Sequence, residues 1–420
     1  MSLLNSSKRF PFLDSIRAIA ALYVVMHHAM LQYYFIKPHN LSTAEQVVFK
    51  IFSDGHLAVD MFIVLSGFSL MLAIIRNNYK LKGGIATFIK RRIIRIVPAY
   101  YATIAISLLL ASTLIGINTS SSWDMSINPT FQGFLTHLFF FHDLFLSTSP
   151  KISYSLWSIA VEFRLYLLFP LIVWLWRKAG PFGALLFACV TTITISVLLL
   201  VFKNYYPDIN LFRSGVSPFI ILFTLGMLAA DLTFSGHDPA VRFRHFFGRL
   251  NTLTTILFFI AAGIIYKVIP AEKDYGSAST NTYNLIVIES KDILFGLISA
   301  AFLVLCAIRD NLTVKQNSLL RILHWEPLVL IGTFSYSLYL IHPPLLQLMT
   351  QYMLVGMHLS TLGKTVFLII VGTPLVLLIS YFFFLIFEQP FMTLGKKYKK
   401  TDNQAKTPEP AILSQDSQTA

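Results

Sequence analysis

The stretch from Ser15 to Ala29, SIRAIAALYVVMHHA, carries an arginine and two histidines in a segment that is otherwise apolar. Ionisable groups are rare in such segments because removing them from water is costly. Arg17 and His28 are eleven residues apart, so an α-helix places them on one face, ~16 Å apart along its axis, whereas His27 points ~80–100° away. A cation and a titratable base on one face indicate a site for an elongated anion. A packed or water-bridged structural role is the alternative for a histidine taken alone.

Three more ionisable residues lie in apolar stretches that follow. They are Asp60 in GHLAVDMFIVLSGF, Glu162 in YSLWSIAVEFRLYLLFP and His342 in FSYSLYLIHPPLL. Asp60 lies a few residues from the outer end of its predicted membrane span, Glu162 about seven and His342 about eight, which are depths similar to that of His28. We therefore expect the four groups to converge, since each needs a partner or a wet cavity. The alternative is two structural ion pairs, one of Asp60 with a histidine and one of Glu162 with Arg164.

A basic cluster precedes another apolar run, in FIKRRIIRIVPAYY. Arg92 and Arg95 are three residues apart and share a face if the helix has begun. Paired guanidinium groups bind phosphates bidentately, which suits the phosphorylated end of a nucleotide-like donor. Basic residues beside a span also fix topology and bind lipid headgroups, so the cluster alone is weak evidence. No Walker loop or dinucleotide-binding glycine motif is present, which leaves ATP and NAD chemistry without support.

The elements that must position these residues are membrane helices. The chain has 420 residues, of which 55% are hydrophobic and 13% charged, far more apolar than a soluble core of this size requires. Ten apolar runs have about the 20 residues needed to cross ~30 Å of hydrocarbon. These runs lie near 12–36, 57–75, 96–117, 155–176, 181–202, 216–232, 250–270, 289–308, 326–350 and 363–388. The sequence predicts an all-α polytopic membrane protein.

An eleventh apolar segment, 131–146, is shorter and contains two histidines and an aspartate. If it does not cross, the segments on the side of the two termini hold 22 of the 33 Lys and Arg, and the opposite loops hold 6. This bias follows the positive-inside rule, so we expect both termini in the cytoplasm and 131–146 to be re-entrant or interfacial. The net charge of +13 then indicates contact with the lipid bilayer and no nucleic-acid partner.

The remaining features exclude further chemistry. Cys189 and Cys306 both lie inside apolar runs, so we expect no disulfide framework, no metal site and no catalytic cysteine. Residues 393–420 are polar and contain proline, which predicts a disordered cytoplasmic tail. The predicted organisation is a cytoplasmic N-terminus at 1–11, a membrane domain at 12–392 and that tail.

The ordered series of these motifs, closed by FEQPF, resembles the acyltransferase-3 family of integral membrane O-acyltransferases over roughly residues 10–392. The resemblance implies a ten-span module that moves an acyl group, usually acetyl, from cytoplasmic acyl-coenzyme A to a hydroxyl of a glycan or related acceptor. Some members carry an additional extracytoplasmic hydrolase-like domain, and we expect this chain to be a stand-alone module of the inner membrane. The residues that match the family's recurrent polar positions are Arg17, His28, Asp60, Arg92, Arg95, Glu162 and His342.

The chain departs from the family pattern at two places. Ala58 stands where a glycine commonly precedes the Val-Asp pair, and Phe163 and Arg164 follow Glu162 where a second acidic residue and a glutamine are common. Arg164 raises the question whether Glu162 is free to act or is held in a local ion pair.

The predicted mechanism is general-base catalysis in a membrane cavity. His28 takes the proton of the acceptor hydroxyl, Asp60 or Glu162 orients its imidazole, and His342 completes the catalytic group. Arg17, Arg92 and Arg95 hold acyl-coenzyme A, which is a co-substrate, and no permanently bound cofactor is expected. A covalent acyl-histidine relay is an equally open route. The rival functions are a proton- or ion-coupled transporter, which would also place such groups mid-membrane, and an inactive binding or scaffold protein.

Overall fold

The computed structural model describes residues 9–34, 41–115, 121–210, 217–248, 252–268, 282–312 and 318–393. Over these residues the protein is helical and contains no named strand. The α-helices are α1 (Pro11–Tyr34), α2 (Thr43–Phe52), α3 (His56–Ile75), α4 (Gly84–Thr113), α5 (Phe131–Leu138), α6 (Trp157–Lys203), α7 (Phe219–Phe234), α8 (Asp238–Gly248), α9 (Thr252–Val268), α10 (Thr282–Leu312), α11 (Ser318–Leu323), α12 (Glu326–Thr333), α13 (Ser335–Met349), α14 (Thr361–Phe367) and α15 (Thr373–Phe383). Single π-helical turns follow α13, α14 and α15.

Several helices are long and apolar enough to cross a membrane, so the chain is a multi-pass membrane protein. Among the described residues five qualify alone, and seven qualify if two sharply bent helix pairs each count as one span. The described residues of the ten predicted apolar runs lie mainly on helices. Two of them share the 47-residue α6, which is interrupted at Gly180 (φ 73°, ψ −177°) just before Pro181. A positive φ favours glycine, and proline removes a helical hydrogen bond, so the break lies where the sequence permits one.

The segment 131–146 does not cross the membrane. Its helix α5 has eight residues, which is ~12 Å of helix against ~30 Å of hydrocarbon. A 3₁₀ turn at His142–Leu144 follows. The predicted re-entrant or interfacial character agrees with this length.

The predicted tail comprises residues 393–420, and its residues from 394 onward lie outside the described residues.

Helices α3 and α7 cross at the centre of the bundle in direct backbone contact. A Cβ atom at Gly67 would meet the carbonyl oxygen of Phe223, and one at Gly226 would meet that of Val64. Small residues at helix crossings in membranes let the two backbones approach closely. Close packing is important there because the lipid is itself apolar, so the hydrophobic effect does not drive the helices together. The crossing fixes α3, and with it the residues of α3 that line the site described below.

Helix α1 is held on several sides. It packs against α3, α12 and α13, and Gly332 of α12 lies against the Asp14 backbone, where a Cβ would not fit. Asp14 stands in the first turn of α1, where a carboxylate opposes the positive end of the helix dipole. It also binds Arg9 (2.8 Å) and Arg17 (2.9 Å). The helix that carries Arg17 and His28 therefore has a fixed position in the bundle.

Replacing Gly67 by Ala tests the α3–α7 crossing. The added methyl group must displace backbone, and overpacking of this kind costs ~1–3 kcal/mol. We expect a lower melting temperature for detergent-purified Gly67→Ala. Gly263→Ala is the matched control, because Gly263 is also helical and a Cβ there meets open space. Equal melting temperatures for the two variants would contradict the close crossing.

Candidate functional site

A cavity of about 220 Å³ opens between α1, α3, α4, α6 and α13. Three guanidinium groups line it, and Glu162 is its one lining carboxylate. Its other polar walls come from serine and tyrosine side chains. Low-dielectric walls focus the field of like charges in a cleft, so the cavity attracts anions. The lining arginines are Arg17, Arg92 and Arg95.

The three arginines are held by different means. Arg17 donates to Asp14 (2.9 Å) and to the hydroxyl of Ser69 (2.6 Å). Arg92 lies over the rings of Phe88 and Tyr166, with its guanidinium carbon 5.7 and 5.6 Å from the ring centroids. Its Nε is buried and has no hydrogen-bond partner among the described residues. Arg17 is therefore held by hydrogen bonds and Arg92 mainly by ring contacts.

Arg92 and Arg95 share one face of α4, as their spacing predicts. Helix α4 begins at Gly84, so both residues lie in regular helix, three positions apart. Both line the cavity, and Arg95 keeps an exposed surface there. Two guanidinium groups side by side can bind a phosphate bidentately.

Glu162 is held by neutral hydroxyl groups. The Tyr166 hydroxyl donates to Glu162, and Ser66 lies 3.3 Å from the same carboxylate oxygen and 2.7 Å from the Tyr166 hydroxyl. Tyr166 stands one helical turn beyond Glu162 on α6, a spacing that places the two side chains together. This triangle fixes the carboxylate in the cavity wall.

Arg164 pairs with Asp143 and not with Glu162, so the ion pair that the sequence suggested as an alternative for Glu162 is wrong. One Arg164 nitrogen lies 2.9 Å from Asp143, the other contacts the second carboxylate oxygen, and the guanidinium also reaches the carbonyl of Phe140. The Asp143 side chain is buried. Residues two positions apart on a helix do not face each other, which separates Arg164 from Glu162. The pair fastens the segment after α5 to α6.

His28 and His342 meet directly. Nδ1 of His28 lies 2.9 Å from Nε2 of His342, and Nδ1 of His342 lies 2.7 Å from the backbone oxygen of Tyr339. The His28 ring also lies against Tyr154, with centroids 4.9 Å apart. The His27 ring lies beside that of His28, with centroids 4.9 Å apart, but its Nδ1 lies 2.5 Å from the backbone oxygen of Phe52. The two neighbouring histidines therefore have different environments, as the helical register predicts.

Tyr339 connects the histidine pair to the cavity. It lines the cavity, and its ring centroid lies 5.7 Å from that of His342. Its hydroxyl contacts the Ser158 hydroxyl (2.6 Å) and donates to the carbonyl of Ser155 (2.9 Å). Arg17 and His28 thus mark the two ends of an elongated site along α1, ~16 Å apart.

Asp60 lies in a different group from the one predicted. Its carboxylate is within 4.8 Å of ligand atoms of His56 and Asp292, and the His56 Nε2 lies 3.7 Å from Asp292. Such a set of nitrogen and oxygen donors has the composition of a divalent cation site. The sequence predicts no metal site, and it predicts Asp60 or Glu162 as the group that orients the His28 imidazole. The structure instead places His342 at Nδ1 of His28.

Sequence reasoning missed several residues of the site. Ser66 and Tyr166 hold Glu162, Tyr339 joins the cavity to the histidines, and Glu388 accepts from the Ser337 hydroxyl (2.5 Å) while its charge acts on Arg95. Two of these residues have a signal in the sequence. Tyr166 stands four positions after Glu162, and Glu388 is the acidic residue of FEQPF. The other contacts join distant segments and leave no pattern along the chain.

Comparison with known proteins identifies similar chains. The acyltransferase-3 family profile, described as "Acyltransferase domain", matches residues 10–385. O-acetyltransferase OatA of Staphylococcus aureus (strain NCTC 8325 / PS 47) is 25% identical, over 84% of this chain and 53% of that protein. The peptidoglycan O-acetyltransferase YrhL of Bacillus subtilis is 25% identical, over 92% of this chain and 55% of that protein. This chain thus spans about half the length of these relatives. No solved structure matches.

Removing one partner of the Arg164–Asp143 pair should destabilise the fold strongly. Leaving a buried charge uncompensated costs ~3–5 kcal/mol, whereas replacing both partners by apolar residues is often neutral. We expect Arg164→Met to lower the melting temperature far more than the double variant Arg164→Met/Asp143→Leu. Arg177→Met, on an exposed part of the same helix, is the control. If Arg164→Met behaves like this control, the pair does not anchor the segment.

Proposed function

The chain belongs to the acyltransferase-3 family, and on that premise we propose that it transfers an acyl group, most simply acetyl, from acyl-coenzyme A to a hydroxyl of a glycan or related carbohydrate. The names of the relatives support O-acetyl transfer. The chain spans about half of their length, so the proposal depends on the geometry of this chain's own site as well as on those names. The observation that carries the proposal is the position of the arginine cavity beside the histidine pair, with Tyr339 lining the cavity and its ring 5.7 Å from that of His342.

The arginine cavity is the proposed donor site. Coenzyme A carries several phosphate charges, and three guanidinium groups line the cavity, of which Arg17 is also paired with Asp14. Arginine is suited to phosphate because its planar fork donates two parallel hydrogen bonds. Residues 76–95, the most basic segment of the expected cytoplasmic side, lead into the cavity along α4. The donor then enters from the cytoplasm, and both termini lie on that side of the inner membrane.

The histidine pair is the proposed reaction centre. His28 takes the proton of the acceptor hydroxyl while the oxygen attacks the thioester carbonyl carbon. The bond from this carbon to sulfur breaks, and the coenzyme A thiolate leaves to be protonated. The products are an ester and free coenzyme A. Attack by His28 itself, followed by transfer from an acyl-histidine, uses the same residue and stays the alternative route.

The acceptor is proposed from the chemistry of the relatives. One relative is named a peptidoglycan O-acetyltransferase, so a glycan or a lipid-linked carbohydrate is the acceptor class to test here. The acceptor hydroxyl has to reach His28, whose ring lies against that of Tyr154.

The two neighbouring histidines of α1 provide the first test. His28→Ala removes the proposed base and should reduce acetyl-transfer turnover by ~10²–10⁴-fold, the usual contribution of general acid–base catalysis. His27→Ala should cost far less, because His27 faces the Phe52 carbonyl. Turnover is measured with purified protein at equal concentration, with melting temperature as the folding control. Equal losses in the two variants, or full activity in His28→Ala, would refute the assignment of the base.

The second test addresses the donor. Arg92→Ala and Arg95→Ala should each weaken acetyl-coenzyme A binding by ~1.5–3 kcal/mol, the scale of hydrogen bonds to charged groups. Arg95→Lys should recover only part of the affinity because the bidentate fork is lost. Titration calorimetry measures the dissociation constants, and Arg91→Ala is the control, since Arg91 donates to the Lys82 carbonyl. If Arg92→Ala and Arg95→Ala bind acetyl-coenzyme A as tightly as Arg91→Ala does, the cluster does not bind the donor and only fixes the membrane topology.

A further inference from the structure

Two consecutive prolines follow His342 inside α13. In an α-helix each backbone N–H donates to the carbonyl four residues before it, and proline has no N–H. Pro343 therefore leaves the carbonyl of Tyr339 without its helical donor. Nδ1 of His342 lies 2.7 Å from that oxygen. The imidazole takes the place of the missing backbone donor.

This contact determines which nitrogen of His342 carries the hydrogen. A carbonyl oxygen only accepts hydrogen bonds, so Nδ1 of His342 must be the donor. The side chain is fully buried, and burial disfavours the charged, doubly protonated ring. In the neutral ring with a hydrogen on Nδ1, Nε2 carries a lone pair and accepts.

The same argument extends to His28. Its Nδ1 lies 2.9 Å from the accepting Nε2 of His342, so the hydrogen between them belongs to Nδ1 of His28. The neutral His28 ring then has its lone pair on Nε2. We propose that Pro343 and His342 act as positioning residues that select the Nδ1–H tautomer of His28 and make its Nε2 the basic nitrogen. This inference rests on the proposed function, in which His28 is the base.

The arrangement also accommodates the proton taken up during the reaction. When Nε2 of His28 receives the hydroxyl proton, Nδ1–H continues to donate to His342, and a charged donor makes the stronger hydrogen bond. His342 thus has the role that a carboxylate has behind a catalytic histidine in other enzymes. That role was predicted for Asp60 or Glu162, and here a neutral ring fills it.

Nitrogen NMR of the wild-type protein tests the tautomer without reference to activity. Protein labelled with ¹⁵N-histidine is placed in nanodiscs at neutral pH, and the His28 signals are identified as those missing from His28→Gln. We expect a protonated Nδ1 and an unprotonated Nε2. A hydrogen on Nε2 of His28 would overturn the inference whatever the activity.

Proline substitutions test the origin of the tautomer. Pro343→Ala restores a backbone N–H that competes with His342 for the Tyr339 carbonyl. We expect His28 to become a mixture of tautomers and kcat to fall ~10-fold, with an unchanged KM for acetyl-coenzyme A. This loss is smaller than the ~10²–10⁴-fold contribution of general acid–base catalysis, because part of the protein keeps the active tautomer. Pro344→Ala is the matched control, because it restores a donor to Leu340 only and should keep the wild-type tautomer and kcat. Identical spectra and kcat for both variants would overturn the role of Pro343.

Substitutions of His342 separate positioning from packing. Gln offers both a donor and an acceptor, whereas Leu fills the space and offers neither. We expect kcat to decrease in the order wild type, His342→Gln, His342→Leu, with KM for the donor unchanged. Equal kcat values for Gln and Leu would overturn the positioning role. If the NMR result holds but His28→Ala keeps full activity, the proposed function fails and the tautomer assignment survives.

Discussion

The cost of holding charge inside an apolar bundle governs this structure. A guanidinium or carboxylate in the membrane region needs a partner or a wet cavity, and the described charged groups of the site each have one. Glu162 is bound by two hydroxyl groups, and Arg164 is neutralised by Asp143. Among the cavity arginines, Arg17 is paired with Asp14, the charge of Glu388 acts on Arg95, and Arg92 lies over two aromatic rings. The guanidinium donors that line the cavity are the groups with which an anionic ligand would form hydrogen bonds.

Helix α1 couples the two halves of the site. Arg17 belongs to the cavity and His28 to the histidine pair, and a rigid helix keeps them ~16 Å apart. Gly332 packs closely against the Asp14 backbone, and Asp14 pairs with Arg17. These two contacts fix the N-terminal part of α1. The geometry therefore suits a ligand that spans both ends, with its charged part at the arginines and its reactive part at the imidazoles.

The sequence was sufficient for features that depend on local periodicity. The described residues of the ten apolar runs lie mainly on helices, and the different partners of His27 and His28 agree with their offset of 100° around the helix. The shared face of Arg92 and Arg95 follows from the same rule. The Lys and Arg bias of the loops predicted that 131–146 does not cross, and the eight-residue length of α5 agrees with that prediction. The family resemblance added the set of polar positions and is confirmed by the match over residues 10–385.

Contacts between distant segments were not accessible in this way. His28 and His342 are 314 positions apart, and their meeting depends on how α1 packs on α13. The partner of Arg164 lies on a neighbouring segment, although Glu162 is closer in sequence. Asp60 joins His56 and Asp292 because α3 packs on α10 as well as on α1. Periodicity predicts the face of the helix on which a residue lies, whereas tertiary packing determines which residues that face contacts.

The most direct measurement is acetyl transfer by the purified chain in nanodiscs, where no ion gradient can exist. Radiolabelled acetyl-coenzyme A is supplied with a soluble N-acetylglucosamine oligomer, and the oligomer is analysed for label released by mild base. The account predicts ester-linked label on the oligomer and an equal amount of free coenzyme A. Intact acetyl-coenzyme A and unlabelled oligomer, together with gradient-dependent solute movement when the same protein is placed in sealed vesicles, would contradict it and favour a transporter.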